Sequence, residues 1–134
     1  MRISKTEYYL GIAKAASMRS TCLRRQYGAV IVKDDEIIST GYNGSPRGSQ
    51  NCCDVGYCER EAQNIEHGQR YELCKSVHAE QNAIISAYRA KMIGSTLYLY
   101  GREGDKEIKA EPCTICARMI KNAGISAVVT SEGD

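Results

Sequence analysis

Two short motifs constrain this chain more than any stretch of its hydrophobic pattern. His78-Ala79-Glu80 stands where an apolar helical pattern begins, and Pro112-Cys113-Thr114-Ile115-Cys116 opens another. Cysteines three apart project from one face of a helix. Pro112 suits a first turn, where a missing N–H costs nothing, and a helix N-terminus favours the thiolate that a metal requires. Each motif alone has a plain explanation. A histidine at a helix start is commonly structural or a cap, and an acid in the first turn matches the helix dipole. A C-x-x-C pair is equally a redox site or two small buried apolar residues. Taken together, the motifs demand a fold that brings two helix N-termini to one point. Two helices on the same face of a sheet would do so.

The remaining pattern is compatible with such a fold. Apolar Tyr9, Ile12, Ala13 and Ala16 predict a helix over 6–19, started by Ser4 or Thr6. Two β-branched runs, 29–32 and 37–40, flank Asp34-Asp35 as a hairpin turn. Residues 41–58, rich in Gly, Asn, Ser and Cys, read as a loop, and 59–72 as a polar helix without a clear apolar face. A helix follows over 79–89, with Ala83, Ile84, Ala87 and Tyr88 as its apolar side. Next come a strand at 96–101, a charged connection over 101–111, a helix at 113–123 capped by Gly124, and a strand at 127–130. With 134 residues this is one domain, 1–134, large enough for a real core. Strands alternating with helices after an opening hairpin predict an α/β layered domain with a mixed sheet.

Bulk properties exclude several classes. A formal net charge of +2 gives no case for a dedicated binder of polymeric nucleic acid. No apolar run approaches the roughly 20 residues of a membrane span. The N-terminus lacks the apolar core of a signal peptide, so the expected setting is cytoplasmic. Seven cysteines, an odd number without an export signal, point to metal rather than disulfides.

The two motifs combined, H-x-E followed by P-C-x-x-C, form the signature of zinc deaminases acting on nucleobases. One nitrogen ligand (His78) and two sulfur ligands (Cys113, Cys116) leave a fourth position open, the mark of a catalytic zinc. Zinc lowers the pKa of a water to about 7. Glu80, not needed as a ligand, is placed to take that proton and return it to the base and the leaving amine.

On these motifs, with Tyr-Gly-Ala-Val-Ile-Val (27–32), Ile-Ile-Ser-Thr-Gly-Tyr-Asn-Gly-Ser-Pro-Arg-Gly (37–48) and His-Ala-Glu-Gln-Asn-Ala-Ile (78–84), the chain resembles the cytidine deaminase superfamily. Within it, it is similar to the deoxycytidylate (dCMP) deaminases. The resemblance implies a three-layer α/β/α fold with a central mixed sheet and zinc at two helix N-termini. It implies hydrolysis of dCMP to dUMP and ammonia, supplying dUMP for thymidylate synthesis. Asn43 would hydrogen-bond the sugar hydroxyl, and the Ala79 N–H the pyrimidine carbonyl. The Gly41 to Gly48 loop, with Asn43, Gly44 and Gly48, fits a nucleotide site for dCTP as activator and dTTP as inhibitor. Its plain alternative is a hairpin-exit loop without a ligand. Arg24, Arg25 or Arg47 could meet a phosphate, though each is also an ordinary surface charge. A second, structural zinc is implied on Cys22, Cys52, Cys58 and Cys74, with Cys53 and His67 as substitutes for Cys58; isolated free cysteines are the alternative. Members are commonly hexameric. They usually continue beyond the 127–130 strand into a further strand and helix, so with the chain stopping at Asp134 a fifth strand and part of a subunit interface are left open.

Rival readings share the zinc. Another cytosine nucleotide or nucleoside, dCTP or cytidine, is one alternative substrate. A tRNA adenosine deaminase should carry a more basic face, and a riboflavin-type deaminase a reductase domain. A non-catalytic zinc module in DNA uptake is the rival of a different class. Such a closed site has no use for an uncoordinated Glu80.

Overall fold

The structure, a computed structural model, describes residues 1–49, 51 and 76–133. Helix α1 (Lys5–Ser17) starts at Ser4, whose hydroxyl accepts from the Glu7 N–H at 3.1 Å, so Ser4 rather than Thr6 is the cap. Strands β1 (Gln26–Lys33) and β2 (Glu36–Tyr42) form the expected hairpin. Asp34 and Asp35 both take positive φ, 52° and 62°, the two-residue turn whose twist matches paired strands. Asp35 also fastens α1 to this turn: its carboxylate accepts from the Tyr9 hydroxyl, and Lys5 Nζ lies 3.1 Å away. That hydrogen bond pushes the Tyr9 phenol up to about 12 and holds the Asp35 carboxyl below its usual range.

The helix expected over 79–89 divides. Helix α2 (Ala79–Ile85) ends at Ser86, and a short α3 (Arg89–Met92) follows. The break turns Met92 into the core at 4% exposure and leaves Tyr88, assigned from sequence to the apolar side, 82% exposed. The charged connection over 101–111 also differs from expectation. Strand β3 (Thr96–Glu103) continues into it and pairs with β4 (Lys106–Ile108) around Gly104, φ 63°. Helix α4 (Thr114–Ala123) ends as predicted on Gly124 in the left-handed region, φ 88°, and β5 (Ala127–Thr130) closes the fold.

The sheet runs β2-β1-β3-β4, antiparallel throughout, while β5 pairs parallel with the first half of β3. Thus β4 and β5 share one edge of β3, lying end to end, and the sheet is mixed. Five strands are present among the described residues, none of them beyond Thr130. The 59–72 helix and residues 52–58 of the predicted loop lie outside the described residues.

Alternation along β1 sorts the core into two layers. Val30 and Val32 face α1 with Tyr9, Ala13 and Tyr100. Ala29 and Ile31 face α2 and α4 with Ala79, Ala83, Leu97, Leu99 and Ile120. Each large side chain fully buried here contributes roughly 1.5–3 kcal/mol. The result is the three-layer α/β/α arrangement. Two glycines set the layer spacing. A methyl on Gly28 would overlap the backbone of Ala13 and Ser17, and one on Gly41 the backbone of Ala79 and Ala83. Gly41 therefore lets α2 lie directly on β2, where the Ser39 hydroxyl donates to the Ala83 carbonyl at 2.7 Å.

Candidate metal and catalytic centre

Both motif helices lie on the Ala29 face of the sheet, and their N-termini converge. His78 is the N-cap residue of α2, its backbone N–H donating to Gln81 Oε1 at 2.9 Å. Cys113 is the N-cap of α4, its sulfur accepting from the Cys116 N–H at 3.3 Å. Capping thus fixes the backbone of both ligand-bearing turns. His78 Nδ1 lies 3.2 Å from Cys116 Sγ and 3.5 Å from Cys113 Sγ. All three donor atoms fall within 4.8 Å of one another. Ligands around a tetrahedral zinc, at bonds of 2.0–2.3 Å, stand roughly 3.5 Å apart. The donor set and its spacing fit that ion.

Glu80 lies beside this set at 5% exposure, hydrogen-bonded to Cys116 and its own backbone. Burial pushes its carboxyl up against those two bonds. Burial also pushes the Cys116 thiol up, with Glu80 and Cys113 adding to the effect. Two sulfurs and a buried carboxyl gathered around one imidazole make a set of groups that a divalent cation would compensate. A carboxyl whose proton affinity is raised by burial is suited to carrying a proton in both directions.

The other sequence candidates fall around this centre to different degrees. Asn43 is 6% exposed and heavily engaged. Its Oδ1 accepts from Ser20 Oγ at 2.6 Å and the Tyr27 N–H at 2.8 Å, and its Nδ2 donates to the Arg25 carbonyl at 2.9 Å. An amide has two donors and two acceptor lone pairs, so one N–H stays available after these three bonds. Gly44 exchanges backbone hydrogen bonds with Val77, at 3.1 and 2.6 Å, which seats the loop against the residue before His78. Ala79 occupies the first turn of α2, whose N–H groups lack intrahelical acceptors. Gly48 takes φ 85° on an exposed stretch that includes Arg47. Arg24 is half-buried, and Arg25 Nε pairs with Glu103 at 3.4 Å. Of the second cysteine group, Cys22 is half-buried with its thiol free; Cys52, Cys53, Cys58, Cys74 and His67 lie outside the described residues.

Three residues beyond the expected set help build the site: Gln81, Ser39 and Tyr27. A Gln three residues after a cap is half of a capping box, so Gln81 had a signal, masked because His is an unusual cap. Ser39 had none, because its partner is 44 residues away.

The profile of the cytidine and deoxycytidylate deaminase zinc-binding region matches residues 3–132. Deoxycytidylate deaminase of Mycobacterium phage D29 is 39% identical over 128 residues, covering 92% of this chain and 91% of that one. Deoxycytidylate deaminase of Schizosaccharomyces pombe is 36% identical over 128 residues; the match covers 96% of this chain and 37% of that longer one. The crystal structure of dCMP deaminase from cyanophage S-TIM5 in complex with dCMP and dUMP is similar at TM-score 0.68 and 30% identity. That match covers 97% of this chain and 82% of that one.

Proposed function

The chain belongs to the cytidine and deoxycytidylate deaminase family and is a hydrolytic deaminase, and on that premise we propose that it converts dCMP to dUMP and ammonia through one catalytic zinc. The observation that carries the reading is Glu80, a buried acid beside a three-ligand set. A purely structural zinc would close its fourth position with protein and leave such an acid without a task. His78, Cys113 and Cys116 would hold the metal. A zinc ion there supplies the acidity that makes water a nucleophile near neutral pH. Glu80 would take one proton of the attacking water and deliver it to the pyrimidine ring nitrogen as the C4–O bond forms, then pass the remaining hydroxyl proton to the amine. The C4–N bond breaks, ammonia leaves and the oxygen stays as the new carbonyl. The Ala79 N–H holds the pyrimidine carbonyl, and the remaining Asn43 N–H holds the sugar hydroxyl.

The names of the relatives support dCMP as the substrate, as does the nucleotide pair in the cyanophage enzyme. The product would feed thymidylate synthesis. We extend the reading to a cytoplasmic homo-oligomer, a hexamer, whose 41–48 loop takes dCTP as activator and dTTP as inhibitor. A second zinc would sit on Cys22 with Cys52, Cys58 and Cys74. Among the described residues no helix is long and apolar enough to cross a membrane.

A deamination panel tests substrate and control together. Zinc-loaded protein is offered dCMP, dCTP, deoxycytidine and a tRNA anticodon stem. dCMP should have the highest kcat/KM, rising with added dCTP at low substrate and falling with dTTP. Preference for another member rejects the substrate assignment. Hyperbolic kinetics indifferent to both effectors reject the regulatory one.

A further inference from the structure

Strand β1 carries a tyrosine on the same face of the sheet as the metal ligands. Tyr27 alternates with Ala29 and Ile31 and packs against the cluster that contains Ala79. Its cross-strand partner is Gly101, and a methyl there would stand 2.7 Å from Tyr27 Cε1. The ring therefore lies across β3 in space that glycine leaves open. Its backbone is also fixed: the Tyr27 N–H donates to Asn43, the residue before the Gly44–Val77 bridge that leads into His78.

The phenol is half-buried. The Arg25 guanidinium lies beside it, and Glu80 and Cys22 are within electrostatic reach. Arginine only donates, so toward Arg25 the phenol oxygen can act only as an acceptor, and its own O–H proton is left to give. Among the described residues no hydrogen bond joins that O–H to Glu80, although the two groups share the site. Tyrosine hydroxyls in such surroundings ordinarily have an acceptor, and a pyrimidine nucleotide lying against Glu80 brings carbonyl and sugar oxygens into this space.

We propose, resting on the deaminase reading above, that Tyr27 is a substrate-positioning residue whose hydroxyl, braced by Arg25, donates a hydrogen bond to the bound pyrimidine nucleotide. The bond forms equally in the ground and transition states, so it acts on affinity rather than on turnover. Tyr27→Phe keeps the ring over Gly101 and removes only the oxygen. Tyr98→Phe removes a phenol from the opposite, α1-facing side of the sheet and serves as the control.

KM for dCMP should rise roughly three- to tenfold in Tyr27→Phe, the usual effect of losing one hydrogen bond. Its kcat should stay within about twofold, with zinc content and melting temperature at wild-type values. Affinity for the product dUMP should weaken by the same factor, and Tyr98→Phe should leave both constants unchanged. An unchanged KM in Tyr27→Phe, or an equal rise in Tyr98→Phe, overturns the inference alone when wild-type protein turns over dCMP. Wild-type protein inert toward dCMP overturns both the inference and the reading beneath it.

Discussion

Replacing Glu80 by glutamine should leave the fold and the metal in place and lower turnover by roughly two to four orders of magnitude. Glutamine has the same size and can still accept from the backbone of α2, so the 5% exposed position stays filled. Glu80 is not one of the three converging donors, so metal content should hold. What glutamine cannot do is accept a proton from water and pass it on. Circular dichroism, zinc analysis and dUMP formation on one preparation separate these effects. Near-normal turnover would exclude Glu80 as the proton carrier, and loss of zinc would make it a ligand.

Cys116→Ala should have the other large effect. Cys116 is fully buried, and its sulfur stands 3.2 Å from His78 Nδ1. Its backbone N–H, which caps onto Cys113, survives the substitution, so helix α4 keeps its start while the ligand set falls to one nitrogen and one sulfur. Deamination should drop to background. Because metal binding adds directly to folding free energy, the melting temperature should fall too. Under the two-site reading, metal analysis gives two zinc ions per wild-type chain and one per variant. A variant with wild-type zinc and turnover would remove Cys116 from the ligand set. A wild-type count of one would remove the second site and leave the catalytic one intact.

Local chemistry made much of this legible. Gly124 could end a helix in the left-handed region, and Asp34-Asp35 could make a two-residue turn; both signals lie within a few residues of the structure they dictate. The spacings of His78, Glu80, Cys113 and Cys116 are local as well, and their meeting is demanded by metal chemistry rather than by any contact visible in sequence. The errors have the opposite character. Nothing near Ser86 announces a break; α2 stops there, Ile85 and Tyr88 stay exposed, and Met92 in the following turn is the residue that reaches the core. Strand β4 did carry a sign, Gly104-Asp105, which reads as a hairpin turn, but its charged flanks lack the alternation of a half-buried strand.

The tight seats of α1 on Gly28 and of α2 on Gly41 are invisible without the partner helix. Asn43 is the clearest case of a residue with a double meaning. The family resemblance implied a ligand contact for it, yet three of its hydrogen bonds go to Ser20, Tyr27 and Arg25. At about 1 kcal/mol each, those bonds make it a structural anchor of the site's edge, whatever its last N–H does.

Absorbance of dCMP incubated with the wild-type chain, followed before chelation, after chelation and after zinc is returned, bears most directly on the whole account. Steady conversion to dUMP, halted when the metal is withdrawn and restored by zinc, is the predicted record. Conversion that continues unchanged in thoroughly metal-free protein would contradict it, as would a zinc-replete chain that leaves dCMP untouched.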